Sequence, residues 1–321
     1  MQSNDEYAIA TNGLSKAYNG FIALNNISLK VPKKSIFAFL GPNGAGKTTT
    51  IKLLLGLTRP TSGSAVVLGR NILEDNDQIR QNVGYLAQNP KFYSNLTARE
   101  TLRFVACLFF KGPKDMIEER IAYLLKVVGL EDKSDRPIDG FSGGEMQRLG
   151  IAQAQVNFPE LLILDEPAAG LDPHGREQVL KIMESLRSES TIFYSTHILN
   201  DVQRVSDRVA ILNKGNLIAQ APIEELLAGT REVAYSLELE GDTQQAYTRL
   251  SHESWVTAIS ERKENGRTHW IINVNDPSKA KKRILSMVLA DGGAEVLDFG
   301  LKQYELEDIF MSLVEGSDND D

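Results

Sequence analysis

Gly41-Pro42-Asn43-Gly44-Ala45-Gly46-Lys47-Thr48 matches the pattern G-x-x-x-x-G-K-[ST]. Ser35–Leu40 before it is apolar enough for a strand, and the stretch after it reads as a helix to Leu55, closed by Gly56 and Pro60. A strand, a glycine-rich loop and a helix in that order form a cradle for phosphate. The glycines let backbone N–H groups approach an anion without a Cβ in the way. The helix N-terminus adds a positive partial charge. Lys47 supplies a point charge for the terminal phosphates, the Thr48 hydroxyl suits Mg²⁺, and Thr49 continues the helix start.

Further along, Leu161-Leu162-Ile163-Leu164 is a short apolar run of the kind buried on both faces of a sheet, and it ends in Asp165-Glu166-Pro167. Two adjacent acids at the carboxyl edge of such a strand sit where α/β proteins bind ligands. Beside a polyphosphate they repel it unless they serve a metal and a water. Asp165 is therefore the expected Mg²⁺ ligand, and Glu166 the group that polarises an attacking water. Phe141-Ser142-Gly143-Gly144-Glu145 has the spacing of a capping box, so it opens a helix with bare N–H groups, which by itself reads either as a simple helix cap or as a second anion site. Thr97-Ala98-Arg99-Glu100 has the same spacing and starts a helix over 98–110, followed by another over 115–128.

The 321 residues predict one large domain plus a smaller one, at about 100–200 residues per domain. With 42% hydrophobic and 24% charged residues the composition is that of a globular protein. A net charge of −8 disfavours nucleic acid as a partner. The one cysteine, Cys107, excludes an internal disulfide and fits a reducing compartment. The longest apolar run is Phe104–Phe110, far short of the ~20 residues that span a bilayer. The start, Met1-Gln2-Ser3-Asn4-Asp5-Glu6, is unlike a secretory signal.

Strands are expected at Tyr7–Asn12, Phe21–Val31, Thr191–Ser195, 208–213 and 216–220, and helices at 175–187 and 198–205. The composition changes near Leu227-Ala228-Gly229-Thr230. Beyond it the pattern predicts strand 231–240, helix 242–254, strands 255–263 and 267–275, helix 277–290, strand 294–301 and helix 304–315. That β-α-β-β-α-β order suits a ferredoxin-like unit. The domains are thus read as 5–228, 231–316 and an acidic, disordered tail over 317–321.

Five motifs stand in a fixed order: the phosphate loop, Ser142-Gly143-Gly144-Glu145, Ile163-Leu164-Asp165-Glu166-Pro167, Ala169-Gly170-Leu171-Asp172 and Ser195-Thr196-His197. Over residues 5–228 this combination resembles the nucleotide-binding subunit of ABC transporters. The resemblance implies a P-loop NTPase α/β domain with an antiparallel β subdomain and a helical subdomain near 97–157. It implies ATP hydrolysis with Mg²⁺, and two such domains packed head to tail. Ser142, Gly143, Gly144 and Glu145 then contact ATP held by the partner's loop. Glu145 departs from the family, where Gln is commonest, and adds a carboxylate near the shared site.

The same resemblance implies that Tyr18 stacks on adenine, that Gln88 contacts Mg²⁺ and the lytic water, and that His197 senses the γ-phosphate. Asp172 links the two subunits, and residues 89–97 face a membrane partner. Tyr304-Glu305-Leu306-Glu307-Asp308-Ile309-Phe310-Met311 looks like the ending of the exporter branch that moves drugs, lipids, polysaccharides or ions. In that branch the permease subunits are separate chains, so the expected place is the cytoplasmic face of the membrane, with a second copy or a homologous ATPase as partner. The alternatives are a soluble ABC-type ATPase or an ATP-dependent regulator not coupled to transport.

Overall fold

The structure is a computed structural model that describes residues 6–228, 233–264, 266–302, 306, 307 and 310. The chain divides into two compact units, with the break between Ile223 and Glu224. The first opens with β1 (Tyr7–Tyr18), β2 (Phe21–Ile27), β3 (Lys30–Pro32) and β4 (Ile36–Leu40). After the phosphate loop come α1 (Lys47–Leu54), β5 (Ser62–Val67), β6 (Arg70–Asn71), α2 (Asn76–Asn82) and β7 (Val83–Leu86). Helices α3 (Ala98–Phe109), α4 (Lys114–Val127) and α5 (Gly143–Ala154) follow, then β8 (Leu161–Asp165). The unit continues through α6 (Pro173–Leu186), β9 (Thr191–Thr196), α7 (Leu199–Val205), β10 (Arg208–Asn213) and β11 (Asn216–Pro222), and α8 (Ile223–Ala228) spans the break.

The six-stranded sheet runs β11-β10-β4-β9-β8-β7, parallel except for β11. Every residue of β4, β8 and β9 is buried. Continuous apolar strands of this kind need helices on both faces. Phe193 lies between Phe37 and Phe39, with ring centroids 6.0 and 5.4 Å away. The order β4-β9-β8 brings the carboxyl ends of three strands side by side, although they are far apart in the chain. The phosphate loop leaves β4 there, Asp165 ends β8, and Thr196 ends β9.

A second, antiparallel sheet orders β2-β1-β5-β6, with β3 also on β1. The expected strand Phe21–Val31 is two strands. Asn26 takes a left-handed φ of 53°, and the chain crosses from one half of β1 to the other: β2 pairs with Leu14–Tyr18 and β3 with Tyr7–Ala10. Strands β5 and β6 and helix α2 were not foreseen. Both expected capping boxes are present, at Thr97–Glu100 and Ser142–Glu145.

The second unit contains β12 (Val233–Gly241), α9 (Gln244–Ser251), β13 (Val256–Glu264), β14 (Arg267–Val274), α10 (Pro277–Val288) and β15 (Ala294–Lys302). Its sheet orders β13-β14-β12-β15, with every neighbouring pair antiparallel. The element order is the one the sequence pattern predicts. Trp270, fully buried, meets Tyr247 edge-on at 5.7 Å, while Tyr235 stacks on Phe299 at 5.4 Å. The expected helix over 304–315 and the tail over 317–321 lie outside the described residues, except for Leu306, Glu307 and Phe310.

Candidate functional site

The phosphate loop gets its shape from glycines at two left-handed positions, Gly44 (φ 82°) and Gly46 (φ 110°). At Gly46 there is a second constraint, because a Cβ there would stand 2.7 Å from Leu24 Cδ2 and 2.8 Å from the Ala23 carbonyl. Gly46 is also the N-cap of α1 and offers no side-chain cap, which leaves the first-turn N–H groups facing the loop. Ala45 is buried beneath.

Lys47 is only 6% exposed, so its charge must be satisfied locally. Its Nζ donates to the Gly41 carbonyl at 2.7 Å and the Pro42 carbonyl at 3.2 Å, and pairs with Glu166 Oε1 at 3.1 Å. Asp165, at the end of β8, accepts one hydrogen bond on each carboxylate oxygen: the Ser195 hydroxyl donates to Oδ1 at 2.6 Å and the Thr48 hydroxyl to Oδ2 at 2.9 Å. Ser195 also accepts from the Glu166 backbone N–H at 2.9 Å. Glu166 sits at φ 52°, a left-handed conformation that costs a bulky residue about 1–3 kcal/mol and that clusters at functional sites. The bend aims its buried carboxylate at both Lys47 and His197, whose Nδ1 lies 2.9 Å from Oε2. Thr48, Asp165, Ser195, Glu166, Lys47 and His197 are therefore joined in one hydrogen-bonded chain.

A cleft of about 370 Å³ opens over this chain, lined by Asn43, Gly44, Gly46, Lys47, Thr48, Thr49, Gln88 and Glu166. Its remaining wall is Phe21 and Ala23. Tyr18 stands across the β1–β2 pair from Phe21, 42% exposed and with the Lys16 ammonium 4.7 Å from its ring centroid. The aromatic that borders the cleft is thus Phe21, which sequence reasoning did not single out; its place at the hairpin end, across from Tyr18, was the available signal. In the segment over 89–97, Tyr93 is 67% exposed and meets Phe104 edge-on at 6.4 Å.

Ser142, Gly143, Gly144 and Glu145 lie in a different cleft, of about 450 Å³, together with Arg148, Asp172, His174 and Gln178. Asp172 caps α6 by accepting from the Gly175 N–H at 2.9 Å. Ser142 caps α5, and Glu145 Oε2 accepts from the Ser142 N–H at 2.8 Å. Glu145 Oε1 accepts from Lys133. Burial pushes the Glu145 carboxyl up, but the Lys133 ammonium and the Ser142 N–H pull it further down, and it ends below the usual carboxylate range. Sequence reasoning missed Lys133, Arg148 and His174; for Arg148 the available signal was its place one helical turn after Glu145 in α5.

A loop shaped for phosphates, with a lysine, a hydroxyl and two acids at one sheet edge, defines a nucleoside-triphosphate site of the P-loop class. The family description "ABC transporter" matches residues 24–169. The chain is 35% identical over 310 residues to the bacitracin transport ATP-binding protein BcrA of Bacillus licheniformis, spanning 96% of this chain and 97% of that protein. It is 34% identical over 318 residues to the daunorubicin/doxorubicin resistance ATP-binding protein DrrA of Streptomyces peucetius, spanning 98% and 94%. Among solved structures it resembles cbiO1 of Clostridium perfringens, described as part of an ABC transporter complex. That match has a TM-score of 0.64 and 29% identity, and covers 70% of this chain and 94% of that one. The chain belongs to the ATP-binding proteins of the ABC transporter family.

Proposed function

We propose that this chain binds and hydrolyses ATP to drive a membrane exporter, with two copies, or one copy and a homologous subunit, closing head to tail over the nucleotide. One observation carries the reading: the loop lysine, the strand-end acids and His197 form a single hydrogen-bonded network, and its members Lys47, Thr48 and Glu166 line one cleft. In this reading Lys47 exchanges Glu166 for the terminal phosphates, while the loop N–H groups orient them. Glu166 takes the proton of a water that attacks the γ-phosphorus as the bond to the ADP oxygen breaks. His197 holds the Glu166 carboxylate, and Gln88 reaches the water from the far wall. A hydroxyl and a carboxylate already 2.9 Å apart are hard oxygen donors, so Thr48 and Asp165 fit Mg²⁺. The ion would neutralise charge on the phosphates.

The second cleft lies apart from the first and shares no lining residue with it. That arrangement suits a shared site, in which Ser142 and its neighbours close on ATP held by the opposite subunit. ATP then shifts the population toward the closed dimer, and hydrolysis releases it. Among the described residues no helix is long and apolar enough to cross a membrane, so in this reading the pathway is built by separate permease chains. The chain would lie against their cytoplasmic face, with the segment over 89–97 turned toward them.

The test is phosphate release from ATP by the purified chain, together with a pull-down of the tagged chain from detergent-solubilised membranes. Turnover and a co-purifying polytopic protein support the reading. Turnover with only non-membrane partners, in several detergents, overturns the transport half and leaves the ATPase.

A further inference from the structure

Glu145 creates an electrostatic problem at the second cleft. It is the third residue of α5, whose N-terminus presents the N–H groups of Gly143 and Gly144; a Cβ would meet open space at Gly143 and only Leu171 Cδ2, 4.0 Å away, at Gly144. Its capping bond needs only an acceptor oxygen, which a glutamine also provides. The carboxylate adds a full negative charge beneath an anion site, and its side chain is only 11% exposed. Asp172, which lines the same cleft, adds another. Two cations offset these charges. Arg148, one turn further along α5, lines the cleft and donates to Gln178 of α6. Lys133, in the short turn Glu131–Lys133, pairs directly with the free oxygen of Glu145. The formal sum over Glu145, Asp172, Arg148 and Lys133 is zero, and removing Lys133 leaves it at −1. The neighbouring Glu131 and Asp132 are not buried and are screened by water.

We infer that Lys133 is a positioning residue for the shared nucleotide site, neutralising Glu145 so that the N-terminus of α5 can meet a polyanion. The inference rests on the ATP reading above. It differs from a purely mechanical role for the pair, in which Lys133 tethers its turn to α5. A tether is lost equally when either partner is changed. A neutraliser is needed only while Glu145 carries charge.

Steady-state phosphate release by the full chain separates the two roles, with KM for ATP as the readout. Lys133→Met should raise KM about fivefold at low salt, the scale of one partly screened ion pair. The effect should shrink at high salt. Glu145→Gln alone should raise KM less than Lys133→Met does, and combining the two should bring KM back down toward that of Glu145→Gln. Lys133→Arg keeps the charge and controls for damage to the turn. A double variant as weak as Lys133→Met, or a Lys133→Met variant with unchanged KM, overturns the inference. If the wild type releases no phosphate, the ATP reading itself fails, and this inference with it.

Discussion

Glu166→Gln tests the centre of the proposed chemistry with little disturbance to the fold. The amide that replaces the carboxylate has nearly the same volume. The strained turn is held by the backbone N–H of residue 166, which donates to Ser195 and does not depend on the side chain. What disappears is a negative charge on a side chain only 5% exposed, placed 3.1 Å from Lys47 Nζ and 2.9 Å from His197 Nδ1. Two effects of opposite direction follow. Turnover loses its proton acceptor, which is worth about 10²- to 10⁴-fold, or about 3–5 kcal/mol in the barrier. Nucleotide affinity loses a competitor, because Lys47 no longer has to leave a carboxylate to meet the phosphates. In the absence of nucleotide, Lys47 keeps the Gly41 and Pro42 carbonyls but has no counter-charge. The empty protein should therefore melt lower than wild type and gain more from added ATP. Phosphate release, equilibrium binding of ATP and melting temperature with and without ATP read all three quantities, and size exclusion with ATP should show a trapped dimer. A variant that keeps a tenth or more of wild-type turnover, or that binds ATP tenfold more weakly while melting normally, refutes the role given to Glu166.

Lys47→Ala should weaken ATP binding by about 10- to 100-fold, the scale of lost charge-assisted hydrogen bonds, and equilibrium binding with unchanged affinity would contradict its assignment. Gly46→Ala forces a left-handed alanine against Leu24 and the Ala23 carbonyl, so it should cost roughly 2 kcal/mol of stability in denaturant melts and abolish nucleotide binding. Thr97→Ala removes the cap of α3 and should cost about 1 kcal/mol by the same melts, without changing ATP affinity. Glu100 is held low by the Thr97 N–H and hydroxyl, so its contribution is present above the unfolded carboxylate value and is lost as pH falls through the folded one. The gap in melting temperature between wild type and Glu100→Gln should accordingly narrow in acid.

Legibility in the sequence followed the range of the interaction. The phosphate loop was readable because its glycines answer a local demand: positive φ at Gly44 and Gly46, and room for N–H groups. Both capping boxes were readable because cap and acceptor are three residues apart. The strand ending in Asp165-Glu166 was readable from its unbroken apolar run. In the second unit, alternating and helical periodicities were enough for the element order. The expected continuous strand at Phe21–Val31 failed because its break depends on β1, a strand long enough to accept two partners in succession.

The sequence by itself determined the chemistry on offer: a phosphate loop, a pair of acids, a histidine after a buried strand and a second helix cap, each specified by neighbours a few residues apart. Only the tertiary structure decided which of these groups meet. Thr48 reaches Asp165 across 117 residues of chain, and His197 reaches Glu166 across 31, because packing set the strand order β4-β9-β8. The left-handed bend at Glu166, the position of Phe21 on the cleft wall and the pairing of Lys133 with Glu145 arise in the same way. Local rules act through backbone conformation and caps, which a short window contains. Contacts between distant segments depend on how buried faces fit together, and no short window contains that.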